Sequence, residues 1–229
     1  MLVLASASPR RRELLAQGGF TFVVHPADIP EDPRPNEDPI AYVTRLARQK
    51  AEEVYEQLTF AKNIGTTDQT PFARTPDQTE PARVKGPGFG PYIRPSPTEE
   101  SFGPGGDLIV LGADTTVTLD NHILGKPTDA ADATRMLRLL SGRTHRVITG
   151  IAMVTGARTE VAAEVTAVKF LTLSEEEIAA YIATGEPMDK AGAYAIQGRA
   201  ARWIPRIEGD YFNVVGLPIA LVSTLLNSI

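Results

Sequence analysis

The sequence predicts an α/β fold built around one mixed β-sheet flanked by helices. Three observations predict it. Short apolar runs alternate with segments of helical periodicity, and the two kinds mix through both halves of the chain. The run Leu108–Ala113 is apolar without interruption, as expected of a central strand covered on both faces. Beyond it, Thr116–Leu119 and His122–Leu124 flank Asp120-Asn121, the pattern of a hairpin, which adds antiparallel pairing. With 229 residues the chain can bury a substantial core.

The elements follow in order. Leu2–Ala5 reads as a buried strand. Ser8 suits a helix N-cap and Pro9 the first helical position, so Arg10, Arg11 and Arg12 fall in the first turn. The helix dipole disfavours cations there. Free backbone N–H groups and guanidinium forks at that end form a phosphate cradle, or else the turn is simply a solvated basic one. Phe20–Val24 reads as a second strand, followed by an acidic, proline-rich loop over 25–39 that carries Glu31. A helix is expected from about Pro39 to Leu58. Its inward stripe is Val43, Leu46, Ala47, Lys50 and Val54, and Lys50 stands where an apolar residue belongs. Such a lysine either snorkels out or meets an anion.

Residues 62–107 hold 8 of the 18 prolines and 7 of the 19 glycines, with few aliphatic side chains. That composition cannot offset the entropy of ordering, and the segment is read as a flexible insertion. Gly86-x-Gly88-x-Gly90 within it joins no strand to a helix and is set aside as a dinucleotide fingerprint.

Order resumes at Leu108. Asp114 is expected at the C-terminal end of that strand, where open α/β sheets place their ligands. A carboxylate there holds a metal, accepts a proton from water, or caps the following turn. Lys126, between Gly125 and Pro127, reaches a phosphate as a mobile point charge or is solvated. Thr128 or Asp129 caps a helix running to about Leu140. Strands follow at about 146–154 and 159–172. Ser174 with Glu177 forms a capping box that starts a helix ending near Gly185. The loop 186–199 carries Lys190 and Gln197. The Gln197 amide both donates and accepts, which suits a base edge or the loop's own backbone. Two strands and a last helix, starting near Leu217-Pro218, complete the reading.

Composition excludes several classes. A net charge of −5 argues against a general nucleic-acid-binding surface, so any anion site is a local cluster. The absence of cysteine excludes disulfides, thiol nucleophiles and thiolate metal sites. His25, His122 and His145 lie too far apart for a paired zinc motif. No signal-like start and no membrane-spanning apolar stretch are read, so a cytoplasmic protein without a membrane partner is expected.

Taken in order, Ala5-Ser6-Ala7-Ser8-Pro9-Arg10-Arg11, Arg45–Ala51, Gly112-Ala113-Asp114-Thr115, Gly125-Lys126-Pro127, Ser141–His145, Gly185–Tyr194, Ile196-Gln197-Gly198 and Val215–Pro218 resemble the Maf family of nucleoside triphosphate pyrophosphatases. The resemblance covers nearly everything outside the insertion. It implies a single domain over 1–229 with an inosine-triphosphatase-like fold: an elongated mixed sheet with a cleft between two lobes. It implies hydrolysis between the α- and β-phosphates, giving a monophosphate and pyrophosphate. Asp114 matches the family's catalytic base, Arg10, Lys50 and Lys126 its phosphate-binding residues, and Glu31 an acidic residue near the metal. Ser8 and Lys190 join the substrate-binding set. Arg11 (or its neighbour Arg10), Thr115 and Gln197 match residues tied to a preference for dTTP and UTP. A 7-methyl-GTP pyrophosphatase and a non-catalytic nucleotide-binding regulator of septum formation are the alternatives. A divalent cation, Mg²⁺ or Mn²⁺, and a homodimer are also implied, with a house-cleaning and division-linked role. Ala195 departs from the family, which often carries Gly there.

Overall fold

The computed structural model describes residues 1–63 and 107–229. The insertion read at about 62–107, with its Gly86-x-Gly88-x-Gly90 motif, lies outside them but for its first two residues and its last. The elements are β1 (Leu2–Leu4), α1 (Pro9–Gln17), β2 (Val23–Val24), α2 (Pro39–Asn63), β3 (Ile109–Leu119), β4 (His122–Leu124), α3 (Ala130–Leu140), β5 (Thr144–Val154), β6 (Thr159–Lys169), α4 (Glu175–Ile182), β7 (Arg206–Glu208), α5 (Tyr211–Val215) and α6 (Ile219–Ser228). One mixed seven-stranded sheet runs in the order β2-β1-β3-β5-β6-β7, with β4 on the far end of β3. Among the described residues no helix is long and apolar enough to cross a membrane.

The sheet is parallel at one end only. β1 pairs in parallel with β2 and with the first residues of β3, Leu2↔Ile109 to Leu4↔Leu111. The other pairings are antiparallel. β3 and β5 pair from Val110↔Val154 to Thr118↔Arg146. This ladder corrects one expectation. β3 does not end at Ala113 but continues to Leu119, because β5 supplies partners for its whole length. Asp114 is therefore a mid-strand residue. On the opposite edge of β3, however, β1 stops opposite Leu111 and β4 begins opposite Val117. Among the described residues the strand edge between pairs with no other strand, and the cleft opens there.

Other boundaries differ modestly. The three-residue β1 offers β2 only Val23 and Val24 as partners, and Phe20 and Phe22 pack into the core instead. α2 runs on to Asn63. The segment Glu186–Trp203 winds through short 3₁₀ turns, and near the C-terminus one strand, β7, and the one-turn α5 replace the two strands expected. The capping box at Ser174 and Glu177 and the Asp129 cap of α3 are both formed.

Two groups of buried residues lie on either side of the cleft. Toward β1, one face of the sheet packs on α1 and α6 through Leu14, Leu15, Leu111 and Val222. The other face packs on α2 through Ala47, Ala51, Val54 and Val110. Beyond the cleft, Leu137, Phe170, Tyr181 and Trp203 join α3 and α4 to the far end of the sheet. α2 lies directly on the sheet because two strand positions lack side chains. A Cβ on Gly112 would stand 2.0 Å from the Ala47 carbonyl oxygen, and one on Gly150 2.5 Å from the Val43 carbonyl carbon.

Candidate active site

The cleft is a cavity of about 590 Å³, within the usual range of ligand sites. Ser8, Arg10, Arg11, Glu31, Lys50, Asp114, Thr115, Lys126, Lys190 and Gln197 all line it. Residues far apart in sequence are thus brought together from both lobes.

Its centre is an ion triad. Lys50 belongs to the α2 face that packs on Gly112, so its stem is buried and only 7% of the residue is exposed. Its Nζ donates to Asp114 Oδ1 at 2.7 Å and lies 2.5 Å from Glu31 Oε1. The inward lysine meets protein carboxylates rather than snorkelling out. Burial holds the Asp114 carboxyl above its ordinary value, against the opposing pull of Lys50 and Arg11. Burial also pushes Glu31 upward, but its hydrogen bond to Lys50 and the charges of Lys50, Lys126 and Arg11 leave it below the ordinary value. Two carboxylates a few ångströms apart are thereby pushed in opposite directions, the arrangement that separates a proton acceptor from a permanent anion.

Local structure fixes each member. Tyr42 Oη donates to the Glu31 carbonyl at 2.7 Å. Burial, followed by the charges of Asp114 and Glu31, pushes the Tyr42 phenol up to about 12, so it remains a donor. Arg45 grips Glu37 with two hydrogen bonds of 2.6 and 2.7 Å and reaches the Asp32 carbonyl at 3.2 Å. The Glu31 loop is thereby strapped to α2. Sequence reading singled out neither Tyr42 nor Arg45 as part of the site. The available signal was Glu37, placed eight residues before Arg45 just ahead of the helix.

Ser8 caps α1 as expected, its Oγ accepting from the Arg11 N–H at 3.4 Å. The three arginines then part ways. Arg10 faces the cavity, 3.8 Å from Asp189. Arg12 is exposed and has no part in it. Arg11 turns toward the sheet. Its Nε donates to Gly216 O at 2.9 Å, Nη1 to Ala113 O at 2.9 Å and Ser6 Oγ at 3.2 Å, and Nη2 to Thr115 Oγ1 at 3.0 Å. Those bonds tie Arg11 to β3 at the two neighbours of Asp114, Ala113 and Thr115. Among the described residues four of five guanidinium protons are spent, and one Nη2 proton is left for a ligand. The Thr149 hydroxyl donates to Asn213 O at 3.0 Å, so Thr115 donates to Thr149 at 2.9 Å.

On the opposite wall, Lys126 is exposed and lies 3.9 Å from Glu31. Lys190 pairs with its neighbour Asp189. The Gly192 N–H donates to Gly125 O at 3.0 Å, which ties the Lys190 loop to the Lys126 loop. Gly192 is required twice over. Its φ is 69°, and a Cβ there would meet Val117 at 2.9 Å. Tyr194 Oη and His145 Nε2 lie 2.8 Å apart behind this loop. Burial pushes His145 down to about 3, so the ring is neutral and structural at working pH. Gln197 is exposed on the rim of the cavity.

The site thus has one buried carboxylate suited to take a proton, a second held ionised, and five cations lining the same space. Comparison with known proteins shows the family of the chain. The family model described as Maf-like protein matches residues 1–229.

The chain belongs to the Maf family.

Relatives agree. A protein of Koribacter versatilis is 44% identical over 98% of this chain and 92% of its own length. One from Geobacter sulfurreducens is 46% identical over 96% of this chain and 92% of its own. One from the archaeon Thermococcus onnurineus is 43% identical over 97% of this chain and 94% of its own. Each is named dTTP/UTP pyrophosphatase. The mixed sheet flanked by helices is the fold expected of a Maf protein.

Proposed function

We infer that this Maf protein hydrolyses dTTP and UTP to the nucleoside monophosphate and pyrophosphate. One observation carries the reading. Asp114, a buried carboxylate held above its ordinary value, shares one cavity with Arg10, Lys50, Lys126 and Lys190. Hydrolysis of a triphosphate is limited by charge repulsion and positioning, so a cationic pocket with one proton acceptor supplies what the reaction lacks. Arg10, Lys126 and Lys190 bind the phosphates. Asp114 orients the attacking water and accepts its proton. Lys50 holds Asp114 in place and, as phosphate arrives, shares its charge with it. Gln197 and Thr115 read the base.

The donor set fits a divalent cation bound together with substrate. Among the described residues no three His, Cys, Asp or Glu side chains gather into a metal cluster. Mg²⁺ commonly needs only one or two carboxylates, completing its shell with water and phosphate oxygens. Glu31 and Asp114 provide two on one wall, and the buried Thr116 Oγ1, two residues from Asp114, has no partner among the described residues. Glu31 and Asp114 would hold the ion, with Mg²⁺ ahead of Mn²⁺. When bound it would neutralise phosphate charge and polarise the bond to be broken.

The test is pyrophosphate release measured with dTTP, UTP and 7-methyl-GTP in the presence of Mg²⁺. Turnover of dTTP and UTP well above 7-methyl-GTP is expected. Preference for 7-methyl-GTP would overturn the substrate assignment. Binding without release from any nucleotide would point instead to a regulator of septum formation.

A further inference from the structure

Gln197 stands on a turn whose two ends are held by one pair of side chains outside the cavity. The turn is closed by the Gly198 N–H donating to Ala195 O at 3.1 Å. Before Gln197, the Ala195 N–H donates to Tyr181 Oη at 3.2 Å. After it, the Arg199 N–H is shared between both oxygens of Glu186 at 3.2 Å. Tyr181 Oη then donates its own proton to Glu186 Oε1 at 2.7 Å. Each N–H and O–H in this circuit donates in the correct sense: Glu186 Oε1 accepts from both Tyr181 and Arg199, and the phenol passes from acceptor to donor.

The circuit rests on a rigid base. Tyr181 projects from α4, is 2% exposed, and stacks edge-on against Trp203 with ring centroids 5.0 Å apart. Burial and the Glu186 contact both push its phenol upward, which keeps the proton on the oxygen. Gly198 completes the fit. Its φ of −102° suits any residue, so the glycine is not there for backbone freedom. A Cβ at this position would stand 1.8 Å from Glu186 Oε1 and 2.4 Å from its Cδ. The missing side chain is the space that the Glu186 carboxylate occupies.

We propose that Glu186 and Tyr181 are positioning residues of this enzyme: a carboxylate–phenol clamp that closes the 195–199 turn and fixes how Gln197 meets the nucleotide base. The proposal rests on the reading of Gln197 as a base contact. The clamp touches neither Asp114 nor Lys50, so it acts on substrate affinity and not on the chemical step. Gly198 belongs to the clamp by its absence of bulk.

The test compares Glu186→Ala and Gly198→Ala with Gln197→Ala in the full chain. The first removes the carboxylate. The second evicts it by volume while leaving Glu186 and the backbone conformation available, and so serves if the first fails to fold. Steady-state kinetics with dTTP and UTP are read alongside amide hydrogen exchange of residues 195–199. Each clamp variant is expected to raise KM roughly tenfold, about the worth of one charged hydrogen bond, with kcat within about twofold and faster exchange in the turn. Adding Glu186→Ala to Gln197→Ala is expected to raise KM no further. A fall in kcat at constant KM, or KM losses that multiply in the double variant, would overturn the positioning role. Unchanged exchange in both clamp variants would overturn the clamp itself. If Gln197→Ala alone leaves KM unchanged, base reading by Gln197 fails, and faster exchange in the clamp variants still supports the clamp as the device that holds the turn.

Discussion

Replacing Lys50 by methionine keeps the length of the side chain against the sheet and removes only its charge. Asp114 then loses the ammonium 2.7 Å away, and Glu31 the one 2.5 Å away. Glu31 is half-exposed, and water replaces much of what it loses. Asp114 is 7% exposed and cannot be resolvated in place. Breaking a buried pair by removing one partner costs about 3–5 kcal/mol, so the loss falls mainly on Asp114. The carboxyl has an escape, which is to take up a proton. Lys50 is among the groups that pull it down, and without Lys50 its already elevated value rises further. An acid raised in the folded state binds more protons there than in the unfolded chain, so stability falls as pH rises through the folded value. Glu31 works in the same direction. The stability it draws from Lys50 exists above its ordinary value of 4.5 and vanishes in acid, so its removal is felt only at higher pH. Urea unfolding of Lys50→Met should therefore show a loss approaching about 3–5 kcal/mol near pH 8 and a smaller one near pH 5. Adding Asp114→Asn replaces the stranded charge by an amide whose missing hydrogen bond costs about 1–3 kcal/mol, so the double variant should be more stable than Lys50→Met at the higher pH. Equal losses at both pH values, or no recovery in the double variant, would refute this account of the triad.

Other consequences are equally open to measurement. Gly112→Ala should force α2 off the sheet by about 1.4 Å, from 2.0 Å to an ordinary 3.4 Å contact. That should lower stability by about 1–3 kcal/mol and turnover by about a hundredfold, read by thermal unfolding and pyrophosphate release. Arg11→Lys keeps the charge but loses the fork, stranding the Ala113 and Gly216 carbonyls at about 1–3 kcal/mol each, and an unchanged unfolding midpoint would remove Arg11 from the frame. Glu37, held at about 2 chiefly by its hydrogen bonds to Arg45, stabilises the fold above its ordinary 4.5, and this is lost as pH falls toward 2. Glu37→Gln should flatten that acid limb of the stability curve, and a limb identical to the parent protein's would contradict the strap.

The parts of the site that the sequence makes legible are those whose residues violate a local rule. Three arginines at a helix N-terminus and a lysine on an apolar face both require an explanation, and both lead to the cleft. The parts that stay hidden depend on distant pairing. Asp114 was expected at a strand end because the hydrophobic run stops there. Nothing local shows that β5 carries the strand onward and that the opening lies on the other edge, between β1 and β4. Arg11 and Arg10 are neighbours with identical local signals. Only the fold reveals that one is bonded to Gly216, 205 residues away, while the other faces the cavity. The 186–199 segment reads as a polar loop, since the partners that order it, Tyr181, Gly125 and His145, are distant or ordinary in sequence.

The central claim is that Asp114 takes the proton of the attacking water in a cationic cleft. The most direct measurement is pyrophosphate release from dTTP by Asp114→Asn beside the unaltered protein, with circular dichroism to show that both are folded. A loss of about 10²–10⁴-fold in kcat with the fold intact is expected, the usual worth of a positioned general base. Turnover within a few-fold of the unaltered protein would contradict the account and move the chemistry to another residue.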